Sequence, residues 1–125
     1  MKYPIFVTNI EEETLKNNYF RKVINTTSKL QLVLMTIQPM DNIPREKHIK
    51  HDQFIRIESG KGKVVITDKN EKILETHILS DGICIIIPAN NWHEIINTSK
   101  TNELKLYSIY TPPEHPPNKI NKIKP

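Results

Sequence analysis

Two stretches of the chain combine side chains that can bind a divalent metal. Residues 44–58 hold two histidines among carboxylate and amide side chains, and residues 88–97 hold His93. Imidazole nitrogens suit zinc, iron, nickel or copper, whereas carboxylate and amide oxygens suit harder ions such as manganese. The single cysteine, Cys84, excludes an internal disulfide and a cysteine-rich zinc module. The candidate metal ligands are therefore nitrogen and oxygen atoms.

Short β-rich segments separated by turn residues must position these side chains. Seven such segments with no sustained helical period indicate an all-β sandwich or barrel. Gly60-Lys61-Gly62 predicts a hairpin between the second and third segments. One or two helical turns are expected between Ile10 and Asn18, capped by Asn9 or Thr8. The predicted strands are residues 31–37, 54–57, 63–67, 72–79, 83–87, 93–97 and 104–110.

The segment that begins at Gly82 has a distinctive spacing. It reads Gly82-x5-Pro88-x-Asn90-x2-His93-x3-Asn97, which resembles the second signature motif of the cupin superfamily. Asn90 stands where that family usually has glycine. Asparagine is the residue that best tolerates a left-handed backbone after glycine, so we expect the turn to keep its geometry.

The resemblance extends over most of the chain. Residues 44–58 are similar to a narrower group, the small single-domain cupins described as mannose-6-phosphate isomerase-like, and the similarity continues through residues 17–23, 31–39 and 104–117. It implies a single-domain cupin double-stranded β-helix, that is, a jelly-roll barrel, with a short N-terminal helical turn and a proline-rich C-terminal tail.

A set of metal ligands follows from the same resemblance. With the register of the first cupin motif set by Gly60, Gln53 falls where the family commonly has a metal-binding glutamate. His48 falls at a histidine ligand position, and Glu46 falls where many members have another histidine. His93 is the histidine of the second motif. Alternate residues on a strand share a face, so Glu46 and His48 point the same way. Gln53 joins them if a turn or bulge lies near position 50.

This ligand set suggests the type of reaction. Mannose-6-phosphate isomerases resemble it, because they also use two histidines, a glutamate and a glutamine. The implied cofactor is a divalent transition metal, with zinc, manganese, iron and nickel all left open. A mixed nitrogen and oxygen set favours Lewis-acid work over oxygen activation. The implied function is a sugar-phosphate isomerase; the alternatives are a non-catalytic module that binds a carbohydrate-like ligand and a cupin-type oxygenase.

Isomerisation of a sugar phosphate needs a base that moves the proton α to the carbonyl. His51, Lys50 and Tyr110 are the candidates, by proximity to the ligand segment or by strand order. The phosphate needs a cationic partner. Four cationic residues are available for this, Arg45, Lys47, Lys50 and Arg56.

Several other residues have a structural interpretation instead. We expect His51, His77 and His115 to be surface or hydrogen-bonded histidines, although His51 is also the nearest rival ligand. Cys84 is expected to pack as a small hydrophobe. Trp92, next to His93, either covers the core or lines the rim of a pocket.

Charge and hydropathy exclude two classes of partner. The net charge is +4, but three of the 18 basic residues follow the last acidic residue, Glu114, so the body of the chain is nearly neutral. With 6% aromatic residues, this pattern does not indicate a nucleic-acid binder. No apolar run approaches the length of about 20 residues that a membrane-spanning helix needs. No export signal is evident, so we expect a cytoplasmic protein that binds neither nucleic acid nor membrane.

The C-terminus differs from the rest in composition. Five of the nine prolines lie between Pro112 and Pro125, which predicts a cupin domain over residues 1–110 and a proline-rich, basic tail over residues 111–125. A two-sheet barrel has edges that need cover. Either Phe20–Asn25 or the tail can supply it, within one chain or across the homodimer that we expect.

Overall fold

The computed structural model describes residues 2–125, which form one short helix and ten β-strands. The elements are α1 Ile10–Lys16, β1 Arg21–Thr26, β2 Gln31–Ile37, β3 Asn42–Glu46, β4 Asp52–Ser59, β5 Gly62–Thr67, β6 Ile73–Leu79, β7 Cys84–Ile87, β8 Trp92–Asn97, β9 Leu104–Thr111 and β10 Ile120–Asn121.

The strands lie in two antiparallel sheets. The larger has the order β10-β1-β2-β9-β4-β7, and the smaller has the order β3-β8-β5-β6. Alternate residues of β9 are buried, so each strand of this kind gives one face to the core between the sheets. The prediction of an all-β jelly-roll barrel with a short N-terminal helix is confirmed.

The prediction of a β-hairpin at Gly60-Lys61-Gly62 is wrong. The chain turns there, but β4 pairs with β7 and β9 while β5 pairs with β6 and β8, so the turn carries the chain from one sheet to the other. Gly60 has φ +97°, and a Cβ at Gly62 would lie 2.4 Å from the carbonyl oxygen of Ile96. Glycine is needed for this crossing, but it does not specify which strands pair.

Three strands were not among those predicted. β3 contains Pro44 followed by two charged residues, a pattern that is not typical of a strand. β1 pairs with β2, and the two-residue β10 of the tail pairs with the other edge of β1. The tail therefore covers this edge within the same chain. The division into residues 1–110 and 111–125 stays a prediction, and Met1 lies outside the described residues.

The helix begins where the sequence predicts. The Asn9 side chain accepts a hydrogen bond of 3.0 Å from the backbone nitrogen of Glu12, and the helix ends at Lys16. This is ordinary N-capping. Within residues 2–125, no helix is long and apolar enough to cross a membrane.

Two neighbouring sheet edges are open and apolar. β6 is exposed along its length apart from Leu79, and Ile78 on β6 and Ile86 on β7 are 75% and 69% exposed. Cys84 is also exposed, so the expectation that it packs in the core is wrong. It lies on an edge strand, on the face opposite to the buried Ile87.

The inner face of the larger sheet changes character from one end to the other. At one end it is apolar, where Met35, Leu106 and Ile57 lie side by side on β2, β9 and β4. At the other end three buried polar side chains follow on the same strands, Gln53, Ser108 and Tyr110. The candidate site lies at this polar end.

Candidate metal centre

Glu46, His48 and His93 meet at the polar end of the barrel. Glu46 is the last residue of β3 and pairs with His93 on β8, next to an irregularity in the register of the two strands. Nε2 of His48 lies 3.2 Å from Oε1 of Glu46, and Nε2 of His93 lies 3.7 Å from the same oxygen. Two ligands about 2.1 Å from a shared ion lie about 3.0–3.5 Å apart. The spacing is therefore close to that of a metal site.

The tautomer of His93 leaves one nitrogen available. Its Nδ1 lies 2.8 Å from the carbonyl oxygen of Asn91, which can only accept, so Nδ1 donates its hydrogen. Nε2 then keeps its lone pair, and it is buried with no hydrogen-bond partner among the described residues. A buried acceptor without a partner is costly. A metal ion at this position would satisfy it.

The amide of Gln53, like the ring of His93, is oriented by hydrogen bonds on one side. Its Nε2 donates to the Ser108 hydroxyl at 3.2 Å and to the Tyr110 hydroxyl at 3.1 Å. Its Oε1 is buried and has no hydrogen-bond partner within the described chain. The donor end of the amide is held by β9, which leaves the oxygen end free to bind an ion. These two unpartnered atoms fit a metal better than they fit a metal-free protein.

Two loops are joined to form the site. The chain leaves β3 after Glu46 and enters β4 at Asp52, so the turn expected near position 50 is present. The backbone nitrogen of Asn90 donates to the carbonyl oxygen of His48 at 2.8 Å. Asn90 has φ +69°, so the expectation that it adopts a left-handed backbone is confirmed. The second motif thus holds the loop that bears His48.

The charges around Glu46 favour its ionised form. Burial opposes ionisation, but the imidazoles of His48 and His93, when protonated, outweigh it and lower the pKa of Glu46 to about 2. Burial also disfavours protonated His48, yet its hydrogen bond to Glu46 and the charges of Glu46 and Glu114 raise its pKa. Glu46 therefore offers an anionic oxygen at neutral pH, and a metal would compete with a proton for His48.

Glu114 is a further residue at the candidate site, and no motif in the sequence indicates it. Its Oε2 lies 2.7 Å from Nε2 of His51, and its Oε1 lies 3.6 Å from Nδ1 of His48. Metal-binding histidines commonly have a carboxylate beside the second ring nitrogen, which orients the ring. Glu114 lies 66 positions along the chain from His48 by its number, so no local spacing could have indicated the contact.

The three candidate bases lie in different surroundings. Lys50 is exposed. His51 uses Nδ1 for a contact of 2.8 Å with the carbonyl oxygen of Pro112 and Nε2 for Glu114, so it is hydrogen-bonded on both sides. Tyr110 is buried, and burial together with the charge of Glu46 raises its pKa. Its hydroxyl contacts Gln53 and its ring lies 5.4 Å from that of His48.

Three of the four cationic residues named from the sequence are engaged elsewhere. Arg45 donates to the hydroxyl of Thr67 and lies 4.0 Å from the ring of Trp92, which also has Lys47 at 5.3 Å. Trp92 therefore stacks with cations at the surface beside the site. Arg56 forms an ion pair with Glu58 on the same strand.

Comparisons with known proteins agree with this architecture. The Cupin domain family (Cupin_2) matches residues 33–110. The chain is 49% identical over 121 residues to an uncharacterized protein of Acanthamoeba polyphaga mimivirus, with 97% of this chain and 74% of that protein covered. It is 40% identical to the uncharacterized protein YrkC of Bacillus subtilis (strain 168), covering 95% of this chain and 63% of YrkC. The chain thus spans less than two thirds of YrkC.

Solved structures show the same fold. The crystal structure of BH2720 from Bacillus halodurans has a TM-score of 0.91 and 41% sequence identity, over 94% of this chain and 89% of that one. Oxalate decarboxylase of Bacillus subtilis, which is described with Mn(II) centres, has a TM-score of 0.61 and 16% identity, over 77% of this chain and 24% of that one. The latter similarity shows the fold alone. The match to the domain family and the relative at 49% identity together show that this chain belongs to the cupin family.

Proposed function

We propose that the chain is a metal-dependent cupin that binds a divalent transition metal through Glu46, His48, Gln53 and His93. The observation that supports this most is the pair of buried, unpartnered atoms, Nε2 of His93 and Oε1 of Gln53. Both are ligand-type atoms, and both are fixed by a hydrogen bond on the opposite side of their own group. The ion is one of zinc, manganese, iron and nickel.

The activity proposed for this site is isomerisation of a sugar phosphate, of the mannose-6-phosphate isomerase-like type. When bound, a divalent ion supplies Lewis acidity that polarises a carbonyl and orients a neighbouring hydroxyl. The chain must supply the group that moves the proton α to that carbonyl. We assign this role to His51, whose Nε2 would have to leave the Glu114 carboxylate 2.7 Å away to take the substrate proton, while Nδ1 stays on Pro112. Tyr110, with its raised pKa, keeps its proton and positions Gln53.

One assay series separates this activity from the alternatives. Metal-loaded protein is given mannose 6-phosphate and tested for fructose 6-phosphate, and it is tested separately for oxygen uptake with ferrous ion. Interconversion of the sugar phosphates that is lost in His51→Gln supports the isomerase. Oxygen uptake supports a cupin-type oxygenase, and saturable binding of the sugar phosphate without turnover supports a binding module. The fold is compatible with all three, because function depends on the site.

The proposal includes a homodimer in which the N-terminal arm, residues 2–9, of one copy lies on the β6 and β7 edges of the other. The arm lies outside the helix and strands, and its Ile5 and Val7 are 85% and 88% exposed. Between the two open edges lies an apolar cavity of about 410 Å³. Exposed apolar edges invite pairing with another chain. A two-fold arrangement would cover both edges and both arms at once.

A further inference from the structure

Arg21 is a partly buried cation close to the metal centre. It lies on β1 two residues before the buried Val23, so both side chains point to the barrel interior. Its Nη1 donates to the Asn121 side chain at 2.8 Å. Its Nε is buried with no hydrogen-bond partner, and no carboxylate oxygen of residues 2–125 lies within 4.0 Å of the guanidinium. A cation placed in this way lacks an anion.

Arg21 shares a cavity with the metal ligand Glu46. The cavity has a volume of about 280 Å³, near the lower end of the about 300–1,000 Å³ of small-molecule sites. Two other cations line it, but Lys124 is ion-paired with Asp41 at 2.7 Å, and Arg45 donates to Thr67 and a backbone oxygen. Among these three cations, Arg21 is the one that has a buried nitrogen without a hydrogen-bond partner in the described structure.

His115 is a second residue with an unpartnered buried nitrogen, and it lies beside Tyr110. Its Nε2 is buried without a hydrogen-bond partner among the described residues, and its ring lies 5.5 Å from that of Tyr110. Burial and the nearby Arg21 charge lower the pKa of His115 to about 4, so it is neutral at pH 7. A neutral imidazole can donate a hydrogen bond without adding charge.

The position of His115 is fixed by Gln31, which is fully buried. The Gln31 side chain donates to the backbone oxygen of His115 at 2.7 Å and accepts from its backbone nitrogen at 2.9 Å. It also accepts from the backbone nitrogen of Glu114 at 3.2 Å. The start of the tail is thereby held in place, with Glu114 facing His48 and His51 and His115 beside Tyr110.

We propose that Arg21 binds the oxyanion of a small ligand whose other end reaches the metal centre. The oxyanion is a carboxylate or a phosphate, since a guanidinium recognises either one. The inference rests on the proposed function and adds the group that selects an anionic ligand over a neutral one. Arg21 is not among the cations named from the sequence.

The test measures binding to three probes by titration calorimetry. Mannose 6-phosphate carries a phosphate, glucuronate carries a carboxylate, and mannose carries neither. Wild type is compared with Arg21→Gln and with Lys22→Gln, which removes the same charge from the next residue of β1 on the opposite face. We expect Arg21→Gln to weaken binding of the anionic probe by about tenfold or more and to leave mannose binding unchanged. Lys22→Gln should bind all three as wild type does.

The outcomes separate this inference from the proposed function. If Arg21→Gln loses binding of mannose 6-phosphate alone, the ligand is a sugar phosphate. If it loses binding of glucuronate alone, the ligand is a sugar acid. Equal binding of the anions by wild type and Arg21→Gln, or no saturable binding of either anion by wild type, would overturn the inference. Metal content is measured on the same samples and each titration is repeated on metal-stripped protein. A wild type without metal contradicts the proposed function, whereas an affinity that depends on Arg21 still supports the oxyanion site.

Discussion

Gln53 donates a hydrogen bond of 3.1 Å to the hydroxyl of Tyr110, its direct partner on the neighbouring strand. The contact leaves the carbonyl oxygen of the same amide buried and unpartnered in the described structure. An amide without this restraint could rotate, and the oxygen would then face the proposed ion for only part of the time. In the proposed metal centre the barrel thus contributes through β9 as well as through the ligands themselves.

Removing the Tyr110 hydroxyl should weaken metal binding. Tyr110→Phe keeps the ring in the core and deletes one of the two acceptors that orient Gln53, so we expect about a tenfold loss of metal affinity, in the usual range for residues that orient ligands. Competition with a chromophoric chelator measures this. Tyr107→Phe is the matched control, because Tyr107 lies on the same strand with its ring 6.1 Å from that of Phe54, outside the site. Identical affinities for Tyr110→Phe and wild type would contradict the assigned role of the hydroxyl.

The half-buried His115 should make the protein sensitive to acid. Its pKa is lowered from 6.5 to about 4, mainly by burial and then by the Arg21 charge. Because its pKa is lowered, the folded protein favours the neutral form of His115. The contribution of neutral His115 to the free energy of unfolding is complete above pH 6.5 and is lost as the pH falls to about 4. Denaturant unfolding of metal-free protein should show a smaller loss of stability in this interval for His115→Gln than for wild type. His77→Gln, at an exposed histidine, should behave as wild type does. Parallel curves for wild type and His115→Gln would contradict the prediction.

The dimer should depend on the apolar arm. Replacing Ile5 and Val7 by lysine would place charges where we expect the arm to meet β6 and β7 of a second copy. Light scattering at micromolar concentration should show a dimer for wild type and a monomer for the double variant. Ile123→Lys changes an isoleucine of similar exposure in the tail and should remain dimeric. A monomeric wild type would remove the proposed dimer.

The backbone at Asn90 gives a test of the second motif. Because its φ is +69°, alanine there should cost about 1–2 kcal/mol of unfolding free energy, while glycine should cost little or stabilise. The Asn90 backbone also donates to His48, so Asn90→Ala should weaken metal binding as well. Denaturant unfolding and metal titration measure the two effects. Asn90→Ala with the stability of wild type would mean that the turn does not need a left-handed residue.

The fold class could be predicted from the sequence, but the strand pairing could not. Turn residues and short apolar segments indicate an all-β domain, and the spacing from Gly82 to Asn97 identifies its family. Strand pairing is a different matter, because it is set by contacts between segments far apart in sequence. Gly60 and Gly62 therefore predicted a turn correctly and a hairpin wrongly. Edge exposure is equally non-local, which is why Cys84 was misplaced in the core.

The site could be predicted where its residues belong to motifs. The structure brings together Glu46, His48 and His93 and holds Gln53 on the adjoining sheet face, although their role as ligands stays a prediction until a metal is measured. Glu114 and Arg21 could not be found in this way. Each approaches the site from a distant segment, and a lone charged residue in a sequence is most often solvated. The cytoplasmic location and the catalytic roles of His51, Lys50 and Tyr110 also stay predictions.

Metal content tests the central claim most directly. Untagged wild type, purified without chelator, is compared by elemental analysis with His48→Ala/His93→Ala and with His51→Ala, each checked for folding by circular dichroism. We predict about one equivalent of a divalent transition metal in wild type, none in the double variant, and nearly the wild-type amount in His51→Ala, because both His51 nitrogens are engaged by Pro112 and Glu114. Wild type that takes up no zinc, manganese, iron or nickel after reconstitution would contradict the account.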